Sequence, residues 1–386
     1  MRIAFLSQEY PPYGPAGGIG SYSSVVAPAL ARRGHDVHVI VCHDGEKADL
    51  MHESVHVHLR PKLRIPLLGA ASRLSQTHER LVAARSASKA LAELGAYDVI
   101  ESPEWMAEAL FVRRADRKRL VIHLHTSVGL IARYGGYGGR DVKVADALEI
   151  ASMRRAAVIT SPSQLLFDTM LKSRALKSSE KVVIRLPIEL ENWPAETRGE
   201  TERVVAVIGR LEQRKGIDVL IEALSRLPES LRDTKLVAVG RSSGARYGHP
   251  YSEFLQHLAE RRGVRFEHKP QLSRSQIVEL YPHARVVAVP SRFESFSVSA
   301  LEAMASSVPV VCTRMCGVGE VIAGSEAGAV VAAEDPVALM EALVPYLTDR
   351  TVADRAGRAG RALVETACSA DVIAGQREEM YAAVAR

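Results

Sequence analysis

Two glutamates that stand eight positions apart, Glu294 and Glu302, follow a predicted strand in the second half of the chain. The apolar run 286–289 is typical of a strand buried on both faces, and Pro290 ends it. Glu294 lies in the polar loop that follows, and Glu302 lies in the first two turns of the next predicted helix. In a parallel sheet this loop faces the ligand crevice. We therefore expect both carboxylates to accept hydrogen bonds from the hydroxyl groups of a ligand. Glu302 can accept two such bonds from a vicinal diol.

Two cations follow a second strand of the same kind. The run 203–209 predicts a buried strand, Arg210 leaves its carboxyl end, and Lys215 precedes a helix predicted at 217–224. Arginine binds phosphate oxygens bidentately and lysine acts as a compact charge, so together they can neutralise a departing diphosphate. The free amides at the start of the helix that carries Glu302 also favour an anion. A ligand with hydroxyls at both ends and an anion in its middle, such as a nucleotide diphospho-sugar, fits these groups.

Each of these four residues also has an ordinary interpretation. A glutamate near a helix start commonly complements the helix dipole, and an arginine or lysine beside a loop is commonly solvated. Their coincidence at the ends of two strands favours a functional site. The chain has no Asp-x-Asp pair, the usual acidic motif that holds Mg²⁺ on a sugar nucleotide. We therefore expect no metal site and no cofactor.

These segments resemble those of a known family. Residues 290–311, PSRFESFSVSALEAMASSVPVV, resemble the signature of the retaining glycosyltransferases of family 4, which adopt the GT-B fold. Residues 209–224, GRLEQRKGIDVLIEAL, resemble that family's donor-phosphate motif, and residues 320–322 followed by Gly328 also fit. Weaker similarity extends over nearly the whole chain. The resemblance implies two Rossmann-like α/β domains that face each other across a cleft, with the last helix crossing back to the first domain.

The resemblance also implies a role for individual residues. Glu302 would bind the nucleotide ribose, Glu294 would hold hydroxyls of the donor sugar, and Arg210 and Lys215 would bind the diphosphate. His125 ends an apolar strand, where a histidine is more often a core or rim residue, but the family places a histidine here on a sugar hydroxyl. The predicted catalytic residues are His125, Arg210, Lys215 and Glu294. The predicted donor site comprises Gly17, Gly18, Arg210, Lys215, Glu294, Ser295, Phe296, Ser297, Val298 and Glu302.

Two positions depart from the family pattern. The family usually has glycine where this chain has Ser297, between the two glutamates, and a cysteine-glycine or similar pair where it has Ser306 and Ser307. Ser297 could restrict the backbone of the loop or provide a hydroxyl to the donor. We expect this position to distinguish how the chain holds the sugar.

The glycine-rich stretch 14–20 precedes a predicted helix and, with Asp44 after the second strand, is similar to a dinucleotide fingerprint. In that fingerprint the first glycine follows the strand almost at once, whereas here residues 8–13, with two prolines, intervene. The dinucleotide interpretation is therefore weak. Gly17 and Gly18 still allow backbone amides to approach an anion at a helix N-terminus. The resemblance implies that this anion is the donor diphosphate.

Side chains near the strand ends of the first half are candidates for acceptor contact. Glu101 ends a predicted strand and Trp105 follows it, while Thr126 lies next to the predicted catalytic histidine. Tyr134 has weaker support. The predicted acceptor-binding residues are Glu101, Trp105, Thr126 and Tyr134, and the acceptor would be a small molecule, a glycan or a lipid-linked group.

The length of 386 residues exceeds the size at which a single core usually stops growing, so two domains are expected. We predict an acceptor-binding domain at 1–186, a linker at 187–202, a donor-binding domain at 203–370 and a returning helix at 371–386. A hydrophobic fraction of 47% is typical of a soluble globular protein, and no apolar run approaches the roughly 20 residues that span a bilayer. The first residues indicate a strand rather than a signal peptide, so we expect a cytoplasmic protein with reduced cysteines and no cysteine-bound zinc.

Strands and helices alternate along the chain as in a parallel sheet that is covered on both faces. In the first half, strands are predicted at 3–7, 37–42, 55–59, 98–101, 120–125 and 157–160. In the second half, they are predicted near Val204, Leu236, Val264, Val286, Val310 and Ala329.

The net charge of +5 is modest but unevenly spread. One basic group is interleaved with apolar residues, and a second lies at 113–119. A solvated surface explains both, and the alternative is peripheral contact with the inner face of an anionic membrane or with a phosphorylated acceptor. Nucleic acid is not expected, because interleaved aromatics and nucleic-acid motifs are missing. The first group comprises Arg60, Lys62, Arg64, Arg73 and Arg80, beside Leu63, Ile65, Leu67, Leu68 and Leu74.

The sequence therefore predicts a metal-independent, retaining glycosyltransferase that moves a sugar from a UDP- or GDP-type donor to an acceptor hydroxyl, in the synthesis of a glycan, a glycolipid or a small glycoside. The departing diphosphate would accept the proton of the attacking hydroxyl on the same face of the sugar. Three alternatives stay open. They are a GT-B phosphorylase, which would need a lysine-bound pyridoxal phosphate, a nucleotide-sugar epimerase, and a non-catalytic protein that binds sugar nucleotides.

Overall fold

The computed structural model of the protein describes residues 1–14, 17–65, 74–173, 180–195, 202–246 and 248–386. The chain forms two compact units. The first comprises Met1–Arg133, Tyr137–Pro187 and Ala370–Arg386, and the second comprises Tyr134–Gly136 and Ile188–Ser369. The last helix of the chain therefore belongs to the first unit.

The strands of the first unit are β1 (Arg2–Leu6), β2 (Asp36–His43), β3 (Ala48–His52), β4 (Val55–Pro61), β5 (Val99–Pro103), β6 (Leu120–His123), β7 (Val158–Ser161) and β8 (Glu180–Val183). Those of the second unit are β9 (Val204–Ile208), β10 (Lys235–Val239), β11 (Ala245–Arg246), β12 (His249–Pro250), β13 (Arg265–Lys269), β14 (Val286–Val289), β15 (Val310–Thr313) and β16 (Gly328–Val331).

The α-helices, in chain order, are α1 (Gly18–Arg32), α2 (Ser75–Leu94), α3 (Val128–Gly135), α4 (Arg140–Met153), α5 (Gln164–Ser173), α6 (Ile217–Leu224), α7 (Tyr251–Arg262), α8 (Arg274–Leu280), α9 (Val298–Ala305), α10 (Gly319–Ile322), α11 (Pro336–Thr348), α12 (Arg350–Cys368) and α13 (Ala370–Val384). Short 3-10 helices lie at Trp105–Phe111, Arg114–Arg119, Leu190–Asn192, Gln213–Lys215, Glu229–Leu231 and Tyr281–His283.

Each unit is built on a parallel sheet. The order in the first is β3-β4-β2-β1-β5-β6-β7-β8, in which only the β3–β4 pair of the described strands is antiparallel. The order in the second is β13-β10-β9-β14-β15-β16, and β11 pairs with β12 separately. In the second sheet the strand order reverses between β9 and β14, so the loops that leave these two strands are neighbours. Such a reversal is where open α/β sheets bind ligands.

All twelve predicted strands are present, and the sequence interpretation missed two edge strands of the first sheet. β6, β7, β14 and β15 are buried along their whole length, because helices cover both faces of a parallel sheet. The missed strands, β3 and β8, are half-buried or exposed and lack such an apolar run.

The described part of the predicted linker 187–202 packs within the second unit from residue 188 onward. Trp193 is buried there and its ring contacts that of Tyr281 edge-on, with centroids 5.7 Å apart. Residues 196–201 lie outside the described residues. Among the helices of the described chain, none is both long and apolar enough to cross a membrane.

Candidate active site

The loops after β9 and β14 bring Lys215 and Glu294 together. Gly216, the N-cap residue of α6, has φ +67°. A Cβ atom there would lie 2.0 Å from the carbonyl oxygen of Pro290. Only glycine permits this approach of the two loops. The ammonium of Lys215 donates a short hydrogen bond to Oε2 of Glu294. The segments predicted to bind one donor are therefore neighbours in the structure.

Arg214 is a member of this site that the sequence interpretation did not identify. It is buried, and its guanidinium donates to Oε2 of Glu294 at 3.1 Å, to Oε1 of Glu212 at 2.6 Å and to the carbonyl of Phe293 at 2.8 Å. Burial alone would raise the pKa of Glu294, but Lys215 and Arg214 outweigh it and lower that pKa to about 2. Glu294 is thus a carboxylate at any physiological pH.

Arg210 does not join this cluster. Its side chain is 55% exposed, and the closest approach to an acid is 3.9 Å, between its Nη1 and Oε2 of Glu212. It lies at the carboxyl end of β9, as predicted, with its guanidinium accessible to a ligand.

The loop between the two glutamates caps α9 with a serine in an unusual conformation. Ser297 has φ +106° and ψ +99°, a region that favours glycine, and its hydroxyl accepts a hydrogen bond from the amide of Ala300 at 3.3 Å. Phe296 is fully buried, so it can meet a donor only through its backbone. Ser295 and Val298 are half-buried. The first amides of α9 have no intrahelical partner and suit an anion.

Glu302 lies on α9, where Oε2 accepts a hydrogen bond from the hydroxyl of Tyr281 at 3.0 Å. Burial raises the pKa of Glu302 to about 7 against the lowering effect of this hydrogen bond. Near neutral pH the group therefore exchanges readily between its acid form and a carboxylate that can accept two hydroxyls.

In the first unit, His125 follows β6 and is held by its backbone. Its amide donates to Oε2 of Glu104 at 2.8 Å, and its ring meets the rings of Tyr22 and His123 edge-on, with centroids 5.4 and 4.8 Å away. Burial, assisted by the charge of Arg377, lowers the pKa of His125 to about 3. The imidazole is therefore neutral at pH 7. The hydroxyl of neighbouring Thr126 donates to the carbonyl of His125.

Glu101, which is predicted to contact an acceptor, is an internal hydrogen-bond acceptor in the structure. Glu101 is 2% exposed. Its Oε1 accepts from the hydroxyl of Tyr22 at 2.5 Å, and its Oε2 accepts from Arg377 at 2.6 Å and from the hydroxyl of Tyr381 at 2.5 Å. Arg377 and Tyr381 come from α13, a distance along the chain that sequence periodicity cannot bridge.

The other predicted acceptor residues lie in different surroundings. Trp105 starts a 3-10 helix and is half-buried, with the guanidinium carbon of Arg80 5.0 Å from its ring centroid. Tyr134 is part of the second unit, where its ring stacks on Phe293 with centroids 4.7 Å apart. Tyr134 therefore belongs to a different unit from the other three predicted acceptor residues.

The carboxylate of Glu9 lies at the N-terminus of α1. Gly17 is the N-cap, and a Cβ atom there would lie 2.3 Å from Oε2 of Glu9. The same carboxylate oxygen accepts from the amide of Gly20 at 3.2 Å. The glycines thus admit a carboxylate, in the place where the sequence predicted a diphosphate, and Gly18 has open space beside it.

Two members of the first basic group, Arg60 and Arg80, are buried, so neither a solvated surface nor the alternative of contact with a membrane or a phosphorylated acceptor applies to them. Arg80 and Glu149 are both fully buried and 2.8 Å apart. Arg60 is 6% exposed and pairs with Asp49 at 2.8 Å. Arg73, Leu67 and Leu68 lie outside the described residues. The second group, 113–119, is exposed or half-buried on a 3-10 helix.

Two models of glycosyltransferase domain families match consecutive parts of the chain. The Glycosyl transferase 4-like domain matches residues 17–187, and Glycosyl transferases group 1 matches residues 190–363. The D-inositol 3-phosphate glycosyltransferase of Corynebacterium diphtheriae is 28% identical over 383 residues, with 90% of this chain and 87% of the relative covered. The glycogen synthase of Mycobacterium tuberculosis is 26% identical over 405 residues, covering 100% and 95% of the two chains. The protein is therefore a glycosyltransferase.

Solved structures share the fold of the chain. Sucrose-phosphate synthase from Thermosynechococcus elongatus superposes with a TM-score of 0.77 at 22% identity, covering 99% of this chain and 98% of that one. Anabaena HepE in complex with UDP and glucose gives a TM-score of 0.70 at 20% identity, with 99% and 100% covered. The fold is that of the GT-B enzymes. The two domain matches together are consistent with a GT4-type glycosyltransferase.

Proposed function

We propose that the protein is a retaining glycosyltransferase that binds a nucleotide diphospho-sugar of UDP or GDP type in its second unit and an acceptor in its first. The observation that supports this is the contact of Lys215 with Glu294 at the neighbouring ends of β9 and β14. Glu302 lies on α9, the helix that directly follows the loop of Glu294. A diphosphate at the start of α9 would contact Lys215, Arg210 and free backbone amides. The carboxylates of Glu294 and Glu302, on either side, would accept hydrogen bonds from the hydroxyls of the sugar and of the ribose.

The chemistry follows from the charges of these groups. The bond between the anomeric carbon and the diphosphate oxygen breaks, and its electron pair leaves with the diphosphate. The acceptor oxygen forms its bond to the same face of the anomeric carbon, and its proton passes to a phosphate oxygen. Lys215 and Arg210 stabilise the charge on the leaving diphosphate. Glu294 and neutral His125 hold sugar hydroxyls, and no protein nucleophile or metal takes part.

Turnover of UDP- and GDP-sugars tests this proposal. The acceptor panel would include an inositol phosphate and an oligoglucan, because relatives are named for D-inositol 3-phosphate and glycogen. We expect Lys215→Ala to lower kcat at least about 100-fold, since it removes a cation from the transition state. Lys89→Ala, at a lysine that is 60% exposed on α2, is the matched control and should keep full activity.

Three results would contradict the proposal. They are full activity in Lys215→Ala, loss of activity in EDTA that Mg²⁺ alone restores, and a product whose anomeric configuration, read by NMR, is inverted. Incubation of donor without acceptor separates transfer from epimerisation, because an epimerase converts the donor alone.

A further inference from the structure

A cluster of histidines and aspartates, which the proposed function does not use, lies on one face of the first sheet. β2 and β4 are parallel neighbours with His38 opposite His56. Side chains alternate along a strand, so Asp36, two residues before His38, and His58, two residues after His56, share that face. Asp49 stands opposite His58 from β3.

Three of these side chains bring metal-ligand atoms together. Oδ1 of Asp36 lies 2.9 Å from Nε2 of His38 and 3.5 Å from Nε2 of His56, and ligand atoms of all three lie within 4.8 Å of one another. The two imidazole rings stack with centroids 4.7 Å apart, so the exposed ring of His56 has to rotate for both Nε2 atoms to point at one ion. With bonds of about 2.0–2.1 Å, ligand atoms around a tetrahedral zinc ion are about 3.3 Å apart. The two distances to Asp36 lie on either side of this value.

Hydrogen bonds behind His38 orient its Nε2 for a cation. An ionised Asp49 can only accept, so Nδ1 of His58, 2.5 Å from its Oδ1, carries a proton. Nε2 of His38 accepts a hydrogen bond from Nε of Arg2 at 3.3 Å, and Nδ1 of His38 lies 2.8 Å from Nε2 of His58. This arrangement leaves a lone pair on Nε2 of His38 that faces the Asp36 carboxylate. Metal-bound histidines are commonly fixed in this way, by a hydrogen bond from the other ring nitrogen.

The charged group that approaches this lone pair is Arg2. Its Nε lies 3.3 Å from Nε2 of His38 and 3.4 Å from Asp36, while its other nitrogens donate to the carbonyls of Ala96 and Leu94. Nε2 of His38 and the carboxylate of Asp36 are both acceptors and face each other, which favours a cation between them. Arg2 approaches this pair from one side and does not lie between its members. The side chains of Asp36 and His56 are 49% and 46% exposed, so an ion can enter from solvent.

We propose that Asp36, His38 and His56 bind one divalent ion of the zinc class, with water as the fourth ligand. Two imidazoles and one carboxylate favour Zn²⁺, Co²⁺ or Ni²⁺ over Mg²⁺ and Ca²⁺. The ion replaces the contacts of the Arg2 Nε atom and links β2 to β4. This site departs from the expectation of a chain without metal, and its role is structural rather than part of sugar transfer.

Calorimetric titration of the full chain with ZnCl₂, repeated with CoCl₂ and visible spectroscopy, tests the site. We expect one ion per chain, absorption bands of four-coordinate Co²⁺, and affinity at least about tenfold lower in both His56→Ala and His56→Gln. His56 is half exposed, so both variants should fold. The matched control is His249→Ala, which removes a 60% exposed histidine beside Glu253 in the second unit and should bind like the parent.

The proposal is overturned if the parent binds no stoichiometric ion, or if both His56 variants bind zinc as tightly as the parent. It is also overturned if His249→Ala loses as much affinity as they do, because binding would then be adventitious to surface histidines. Circular dichroism of each variant shows that the comparison is made between folded chains.

Discussion

Replacing Ser297 with glycine should stabilise the second unit even though it removes a helix cap. Ser297 holds φ +106° and ψ +99°, and its hydroxyl accepts from the amide of Ala300. A serine in such a region costs about 1–3 kcal/mol relative to a residue without Cβ. Glycine at an N-cap costs only a few tenths of a kcal/mol, and its extra freedom in the unfolded chain costs about 0.5–1 kcal/mol. The net expectation is a gain of about 1 kcal/mol.

Two other variants separate strain from capping. Ser297→Ala keeps the strain and loses the cap, so it should destabilise by about 1 kcal/mol. Ser299→Gly makes the same chemical change two residues later, inside α9, where glycine should cost about 0.5–1 kcal/mol. The glycine and alanine variants at position 297 should therefore differ by about 2 kcal/mol, with opposite signs.

Urea unfolding followed by tryptophan fluorescence measures this difference. The chain has two tryptophans, and Trp193 is buried in the second unit, so a Trp105→Phe background makes the signal report that unit. With an m value of about 2.5 kcal/mol/M, a gain of about 1 kcal/mol raises the midpoint by about 0.4 M. A midpoint of Ser297→Gly at or below that of the parent, or equal midpoints of the glycine and alanine variants, would refute the strain argument.

Three further predictions concern the same unit. Arg214→Met leaves Glu294 with one buried cation less, so it should lower the free energy of unfolding by about 3–5 kcal/mol in the same urea assay, and a loss below about 1 kcal/mol would contradict the ion-pair account. Because the pKa of Glu302 is about 7 and only its carboxylate can accept a ribose diol, affinity for a nucleotide sugar should rise with pH between about 6 and 8. Calorimetry should find this dependence absent in Glu302→Gln, and a persistent slope would assign it to another group. Ser307 has φ +57°, so Ser307→Gly should stabilise by about 1 kcal/mol and raise the melting temperature, whereas Ser307→Ala should not.

Most of the strands could be predicted because a strand that is buried on both faces is a short continuous run of apolar residues. β14 and β9 are continuous apolar runs, and the loops after them carry Glu294 and Lys215, so their proximity follows from the order of a parallel sheet. β3 is exposed at a sheet edge and leaves no such record.

Long-range pairing explains the errors at individual residues. Glu101 ends the strand predicted at 98–101, where a carboxylate predicts ligand contact. In the structure β5 continues to Pro103, and Arg377, 276 residues away in sequence, pairs with Glu101. Arg214 neighbours Lys215 in sequence, and nothing in their order indicates that Arg214 is buried and that both contact Glu294. The cluster around His38 was missed for the same reason, because its members lie on separate strands.

The ion pair of Glu101 with Arg377 can form only late in the synthesis of the chain. The sheet of the first unit is encoded before residue 188, but the cation that neutralises its buried carboxylate is made only after the second unit has been translated. At about 5–20 residues per second, that interval lasts roughly 10–40 s. Throughout this time Glu101 lacks the hydrogen bonds that it accepts from Arg377 and Tyr381 in the complete protein. The first unit is therefore translated first but receives α13 only after the second unit has been made.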